Sequence, residues 1–216
     1  MAETGTKTPR ERYRSQVRGE IKQHAWEQIA TAGASALSLN AIAKQMGMSG
    51  PALYRYFAGR DELITELIRD AYRSLADTFR EACASGADLA ALAHALRGWA
   101  LDDPHRYFLV YGTPVPGYHA PDDVSAIASE IMASLLDACA ALPSNRPATA
   151  FDTHLDGLGR QWADNPSAPN TALHRALSFW TRLHGVLSLE LAGHFTGMGF
   201  DPAQLFAAEL DDVSAR

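Results

Sequence analysis

Residues Ser38 to Arg60, SLNAIAKQMGMSGPALYRYFAGR, constrain the fold of this chain more than any other stretch. Leu39, Ile42, Ala43 and Met46 recur at i, i+3, i+4 and i+7, which makes one apolar helix face. Ser38 stands just before that face as an N-cap. Gly47 follows the last apolar position, where a left-handed C-cap costs glycine least. Ser49 is expected to cap a second helix. Pro51 falls in the first turn of that helix, where the N–H it lacks has no intrahelical partner. Leu53, Tyr56 and Phe57 supply the buried stripe of the second helix, and Ala52, Tyr54 and Arg55 lie off it. Two short helices joined by a glycine turn make a helix-turn-helix. On pattern alone they equally make an ordinary αα-corner.

Charge is distributed unevenly about this motif. Residues 1–60 hold nine Lys/Arg against four Asp/Glu, whereas the rest of the chain holds ten against twenty-one, for an overall net charge of -6. A basic head on an acidic body suits a head that meets phosphate and a body that does not. With 216 residues the chain can bury a core as one large domain or two small ones. There is no apolar run of membrane-spanning length, and the polar, basic start MAETGTKTPRERYR has no secretory h-region. Cys83 and Cys139 have no metal-ligand spacing and sit among alanines and leucines, so inert buried thiols in a cytoplasmic setting are expected.

Helical periodicity runs the length of the chain, with no strand pattern, repeat or low-complexity tract. A first helix, about Arg10 to Ala32, puts Val17, Ile21, Ala25, Ile29 and Ala32 on one stripe and ends at Gly33. It completes a three-helix head. Asp61 and Glu62 open a helix that keeps its period to Ala84; at about 1.5 Å per residue it exceeds about 30 Å and links head to body. Further helices are expected at Asp88–Leu101, His105–Tyr111, Asp122–Leu142 and, more weakly, Ala148–Ala163. Two more run from Asn170 to Phe195, apolar nearly all round, and from Pro202 to Leu210. The fold class is therefore all-α, with a head at 1–60 and a helical body at 61–216.

The ordered run Ile42-Ala43, Gly47-Met48-Ser49, Ala52 to Phe57 and Arg60 to Ile64 resembles the DNA-binding domain of TetR/AcrR-type repressors, whose usual form is roughly IA-xx-xGVS-xx-xLY-x-HF-xx-K-xx-LL. Met48 replaces Val, Tyr56 replaces His and Arg60 replaces Lys, all mild departures. Within the long body helix, Trp180 to Gly185 gives W-xxx-HG, similar to the effector-domain subgroup named for its Trp, His and Gly. The resemblance implies a dimeric, ligand-responsive repressor of a palindromic duplex DNA operator, with no cofactor. Gly50, Ala52 and Tyr54 are then nearest the bases, while Lys44, Tyr56 and Arg60 hold phosphates beside Ser38 and Ser49. It also implies a dimer through the last two helices, with Leu187, Leu191, Phe195 and Leu205 at the interface. A small apolar or aromatic effector is expected among Trp99, His105, Tyr107, Tyr111, Phe179, Trp180 and His184.

Other chemistries lack their residues. No HxxxH or Cys/His spacing suits a metal, and there is no GxSxG elbow, Walker loop or dinucleotide fingerprint. No metal site and no enzymatic activity are therefore expected. The rival reading is an α-helical enzyme or lipid-binding protein with a helix-turn-helix-like corner.

Overall fold

Local capping signals set the element boundaries in the computed structural model, which describes residues 8–86, 88–112, 121–143, 147–156 and 169–215. Among these residues the secondary structure is ten α-helices and one short 3-10 turn, with no strand. The end of the helix expected over Ala148–Ala163 lies outside the described residues.

Helix α1 (Pro9–Ala32) opens with a capping box: the Thr8 hydroxyl accepts from the Glu11 N–H at 3.3 Å, and the Glu11 carboxylate accepts from the Thr8 N–H at 2.8 Å. Gly33, at φ 79°, ends it. After a 3-10 turn (Ala34–Ala36), α2 (Leu39–Gln45) starts where the Ser38 hydroxyl accepts from the Ala41 N–H at 3.3 Å, as the sequence predicts. Gly47 takes the expected left-handed conformation, φ 64°. Helix α3 (Gly50–Leu53) then begins at Ser49, whose side chain makes no cap hydrogen bond, contrary to expectation. Val17, Ile21, Ala25 and Ile29 of α1 are buried, as are Leu39, Ile42, Leu53 and Phe57.

Helix α4 (Arg60–Ala84) begins in a first unit, residues 8–69 of the described chain, and ends in a second, residues 70–215. In the second unit α5 (Leu89–Asp102), α6 (Pro104–Tyr111), α7 (Asp122–Ala140), α8 (Ala150–Asp156), α9 (Asn170–Leu191) and α10 (Pro202–Ser214) surround a common core. Helices α5, α7, α8 and α10 all pack against α9. Three ends differ from expectation. Helix α3 stops at Leu53, so Tyr56 and Phe57, expected on its buried stripe, lie beyond its end, and of the two only Phe57 is buried. Helix α9 stops at Leu191 because Gly193 adopts φ 76° and the His194 N–H reverts to the Leu189 carbonyl at 2.9 Å, so Phe195 lies in the connection to α10. Helix α10 runs to Ser214, carried by buried Leu210 and Val213. Cys139 is buried as expected, but Cys83 is exposed near the end of α4, where the apolar stripe has run out. No described helix is long and apolar enough to cross a membrane.

Arg175 is a charged residue buried at the α7–α9 seam. Its guanidinium donates to the carbonyls of Cys139 at 2.9 Å, Leu142 at 3.2 Å and Pro143 at 2.9 Å, and so satisfies the C-terminal end of α7. Removing it leaves those carbonyls without their charged donor. Arg175→Met is expected to cost about 1.5–3 kcal/mol. The loss should appear as a lower urea midpoint at unchanged slope.

Candidate functional site

The outer surface of the helix-turn-helix is small and polar. Lys44 and Arg55 are exposed, and Tyr54 projects outward with 48% of its surface accessible. Ser49 is exposed, while Ser38, Gly50, Ala52, Tyr56 and Arg60 are half-buried. A Cβ on Gly50 would meet Asn40 Oδ1 at 3.4 Å, so α2 and α3 approach closely at this residue. Three arginines are spent inside the head. Arg14 donates to the Arg55 carbonyl at 3.2 Å. Arg18 donates to the Tyr56 carbonyl, lies over the Phe57 ring at 4.0 Å and pairs with Glu66 at 3.4 Å. Arg14 and Arg18 thus hold the backbone just beyond α3, which is four residues long. Arg60, expected on phosphate, donates to the Ala34 carbonyl at 2.8 Å. The roles of Arg14 and Arg18 escaped the sequence reading; their i, i+4 spacing on the polar side of α1 is the signal that carried them.

In the second unit two i, i+4 series meet. Tyr107 and Tyr111 stand one turn apart on α6, and Trp180, His184 and Ser188 stand at successive turns of α9. The Tyr107 hydroxyl lies 3.0 Å from His184 Nδ1, 3.2 Å from the His184 carbonyl and 2.9 Å from the Ser188 hydroxyl. The His184 ring lies 4.4 Å from Tyr111 and 4.3 Å from Trp180, centroid to centroid. Tyr111 also meets Tyr72 of α4 at 6.0 Å and Trp99 at 6.4 Å. Five of the seven expected effector residues, Trp99, Tyr107, Tyr111, Trp180 and His184, therefore form one cluster. His105 is exposed and has no ring contact with it, and Phe179 is fully buried in the core. Tyr107 is itself 0% exposed, a core residue rather than a cleft wall.

Beside this cluster is a cleft of about 410 Å³. Tyr72, Tyr111 and Trp180 supply aromatic surface to it, and α7 supplies Ala128, Ile131 and Met132, with the Ser129 hydroxyl spent on the Ser125 carbonyl at 3.1 Å. Tyr72, Ser188 and Met132 were not anticipated. Ser188 follows His184 by one turn on the same stripe; Tyr72 lies on the apolar period of α4, and nothing in the sequence marks Met132. The Tyr111 hydroxyl and His184 Nε2 are buried without hydrogen-bond partners among the described residues. Burial raises the Tyr111 pKa well above its usual value, with the neighbouring Tyr72 and Tyr107 adding to the shift. Burial lowers that of His184 to about 4, so the imidazole is neutral.

A histidine buried neutral has a folded pKa below its unfolded one. Between the two the unfolded chain binds more protons, and stability falls as pH drops from about 6.5 towards about 4. Thermal melts of the wild type against His184→Gln over this window are expected to converge on acidification, because the variant lacks the proton-linked loss. Parallel curves would exclude a buried neutral His184.

Comparison with known proteins assigns the chain. Residues 21–67 match the family described as bacterial regulatory proteins, tetR family, and residues 89–213 match the tetracyclin repressor-like C-terminal domain. The second match spans the Trp180–Gly185 motif. HTH-type transcriptional regulator Mb1846 of Mycobacterium bovis is 34% identical over 91% of this chain and 90% of its own length, and the regulator Rv1816 of Mycobacterium tuberculosis is equally similar. A crystal structure of a protein described as regulatory, SCO4313, is 76% identical over 97% of this chain and 100% of its own, with a TM-score of 0.89. A protein of Rhodococcus sp. RHA1 shares the fold at 20% identity and TM-score 0.66, covering 99% of this chain and 97% of its own. With both domain matches and the curated relatives in agreement, the chain belongs to the TetR family of DNA-binding transcriptional regulators, not to a family of enzymes.

Proposed function

We propose that the protein is a homodimeric repressor of a palindromic operator and is released by a small effector held in the body. Residues 1–60 read DNA, and residues 61–216 bind effector and dimerise. The observation that carries the reading is the Ser38-capped, Gly47-turned helix pair with Tyr54 outward, in a chain of this family. The N-terminal half of α3 enters the major groove, with Gly50, Ala52 and Tyr54 nearest the bases. Lys44, Tyr56 and the hydroxyls of Ser38 and Ser49 face phosphate; Arg60 keeps only the N–H groups not given to Ala34. Phosphate contacts position and base contacts specify. Lys44→Ala is therefore expected to weaken all duplexes alike and to reduce the salt slope by about one. Tyr54→Ala is expected to change sequence preference among duplexes selected from a random pool. Equal wild-type affinity for selected and random duplexes at physiological salt would refute the reading.

The dimer forms through α9, α10 and the segment between them. Leu189, Met198 and Phe200 are 45%, 63% and 43% exposed, and Leu191, Phe195 and Leu205 are half-buried, so this end of the subunit carries uncovered apolar surface. Leu187 is fully buried within its own subunit and has no surface left for a partner. The pair of heads would meet half-sites about one helical turn, ~34 Å, apart. Leu189→Glu leaves the subunit core untouched and is expected to give monomers by light scattering, whereas the wild type stays dimeric at micromolar concentration.

Effector and operator are coupled through α4. This helix supplies Glu66 to the Arg18 pair of the head and Tyr72 to the cleft. A ligand shifts DNA affinity only by its differential affinity for two arrangements of that helix.

A further inference from the structure

Helix α3 is too short to hold its own pose. Four residues make about one turn, and a single helical turn is unstable alone because nucleation is costly. Tyr54 already stands at its C-cap, and beyond it the Tyr56 and Phe57 N–H groups both return to the Leu53 carbonyl, at 2.8 and 3.3 Å. Residues 55–58 are fixed by the two flanking helices instead. From α1, Arg14 donates to the Arg55 carbonyl at 3.2 Å and Arg18 donates to the Tyr56 carbonyl. From α4, the Glu62 carboxylate accepts from the Ala58 N–H at 2.5 Å. Arg18 joins the two sides. The guanidinium that holds Tyr56 also pairs with Glu66 at 3.4 Å and with Glu62 at 3.8 Å, and it lies over the Phe57 ring at 4.0 Å. Its side chain is only 24% exposed. A planar fork can serve a carbonyl, a carboxylate and a ring face together, whereas an ammonium is a single point charge.

We propose that Arg18 is a positioning residue for base readout: it sets how Tyr54 and the N-terminal half of α3 lie in the major groove without itself touching DNA. This rests on the reading that Gly50, Ala52 and Tyr54 lie nearest the bases, and adds to it what lets them discriminate. Contacts to base edges depend on donor–acceptor distances of about 2.7–3.2 Å and on direction. A long, flexible lysine such as Lys44 keeps a phosphate within reach through a small displacement that a base contact does not survive. A reading segment released at Tyr56 therefore keeps its hold on the DNA backbone and loses its power to tell sequences apart. Because Glu62 and Glu66 belong to α4, Arg18 ties the pose of that segment to α4 as well as to α1.

Two duplexes test this with the full chain: one selected by the wild type from a random pool, and a scramble of the same base composition. Affinity for each is measured by fluorescence anisotropy over a salt series, below the melting transition of every variant. Arg18→Met keeps aliphatic bulk beside Phe57 and removes the fork. It is expected to lose about tenfold in the ratio of selected to scrambled affinity, with scrambled-duplex affinity and its salt slope unchanged. Arg18→Lys keeps the charge but not the fork, and is expected to lose about threefold. If circular dichroism shows that Arg18→Met has lost the fold of the head, Arg18→Lys decides alone. A folded Arg18→Met that weakens both duplexes alike makes Arg18 a stability residue, and a salt slope lower by about one makes it a phosphate contact. Either result overturns the inference, as does wild-type discrimination in Arg18→Lys. A wild type that does not prefer the selected duplex sinks the base-reading assignment too. A wild type that does, with discrimination intact in Arg18→Met, sinks the role of Arg18 alone.

Discussion

The body depends on the burial of α9. Its apolar residues, from Leu173 through Ala176, Phe179, Leu183 and Leu187, extend round more of its circumference than one neighbour can cover. Helices α5, α7, α8 and α10 each take part of that surface. Hydrophobic burial is non-directional, so it brings these helices to α9 without fixing where each one docks. Polar links do that. Arg97 of α5 grips Glu190 through two hydrogen bonds of 2.6 and 2.8 Å, Arg182 reaches Glu209 of α10 at 2.9 Å, and Arg175 closes the end of α7. At α8, buried Asp152 faces His174 Nδ1 at 2.9 Å. Bidentate, partly buried pairs such as Arg97–Glu190 add geometry as well as energy.

Because α9 is packed on several sides, its polar residues must face something chosen. His184 and Ser188 face Tyr107, and that triad satisfies itself almost completely. Two buried atoms at this seam, the Tyr111 hydroxyl and His184 Nε2, have no hydrogen-bond partner among the described residues.

The head uses a different economy. Its basic character read from sequence as a phosphate-binding surface, yet Arg14, Arg18 and Arg60 spend donors on backbone carbonyls of the head itself. They brace the short α3 and the turn after it. The cations with exposed side chains nearest the motif are Lys44 and Arg55, and only Lys44 had been assigned to DNA.

Local signals determined most of what the sequence showed. Ser38, Gly47, Asp88, Gly33 and the i, i+3, i+4 stripes act within a turn or two of the backbone, so the helices, their starts and the helix-turn-helix were all legible. Where a competing local signal lay just downstream, as at Gly193, the end of a helix was misplaced. Helical period states which residues share a face but not which face of another helix they will meet. Tyr107 and His184 are separated by 77 positions, and Arg14 and Arg55 by 41. Only tertiary packing could decide that Tyr107 is core while Tyr111 walls a cleft, that Leu187 turns inward and Leu189 outward, and that Arg60 serves the head's own backbone. Each of those outcomes depends on surfaces from distant segments competing for the same side chain.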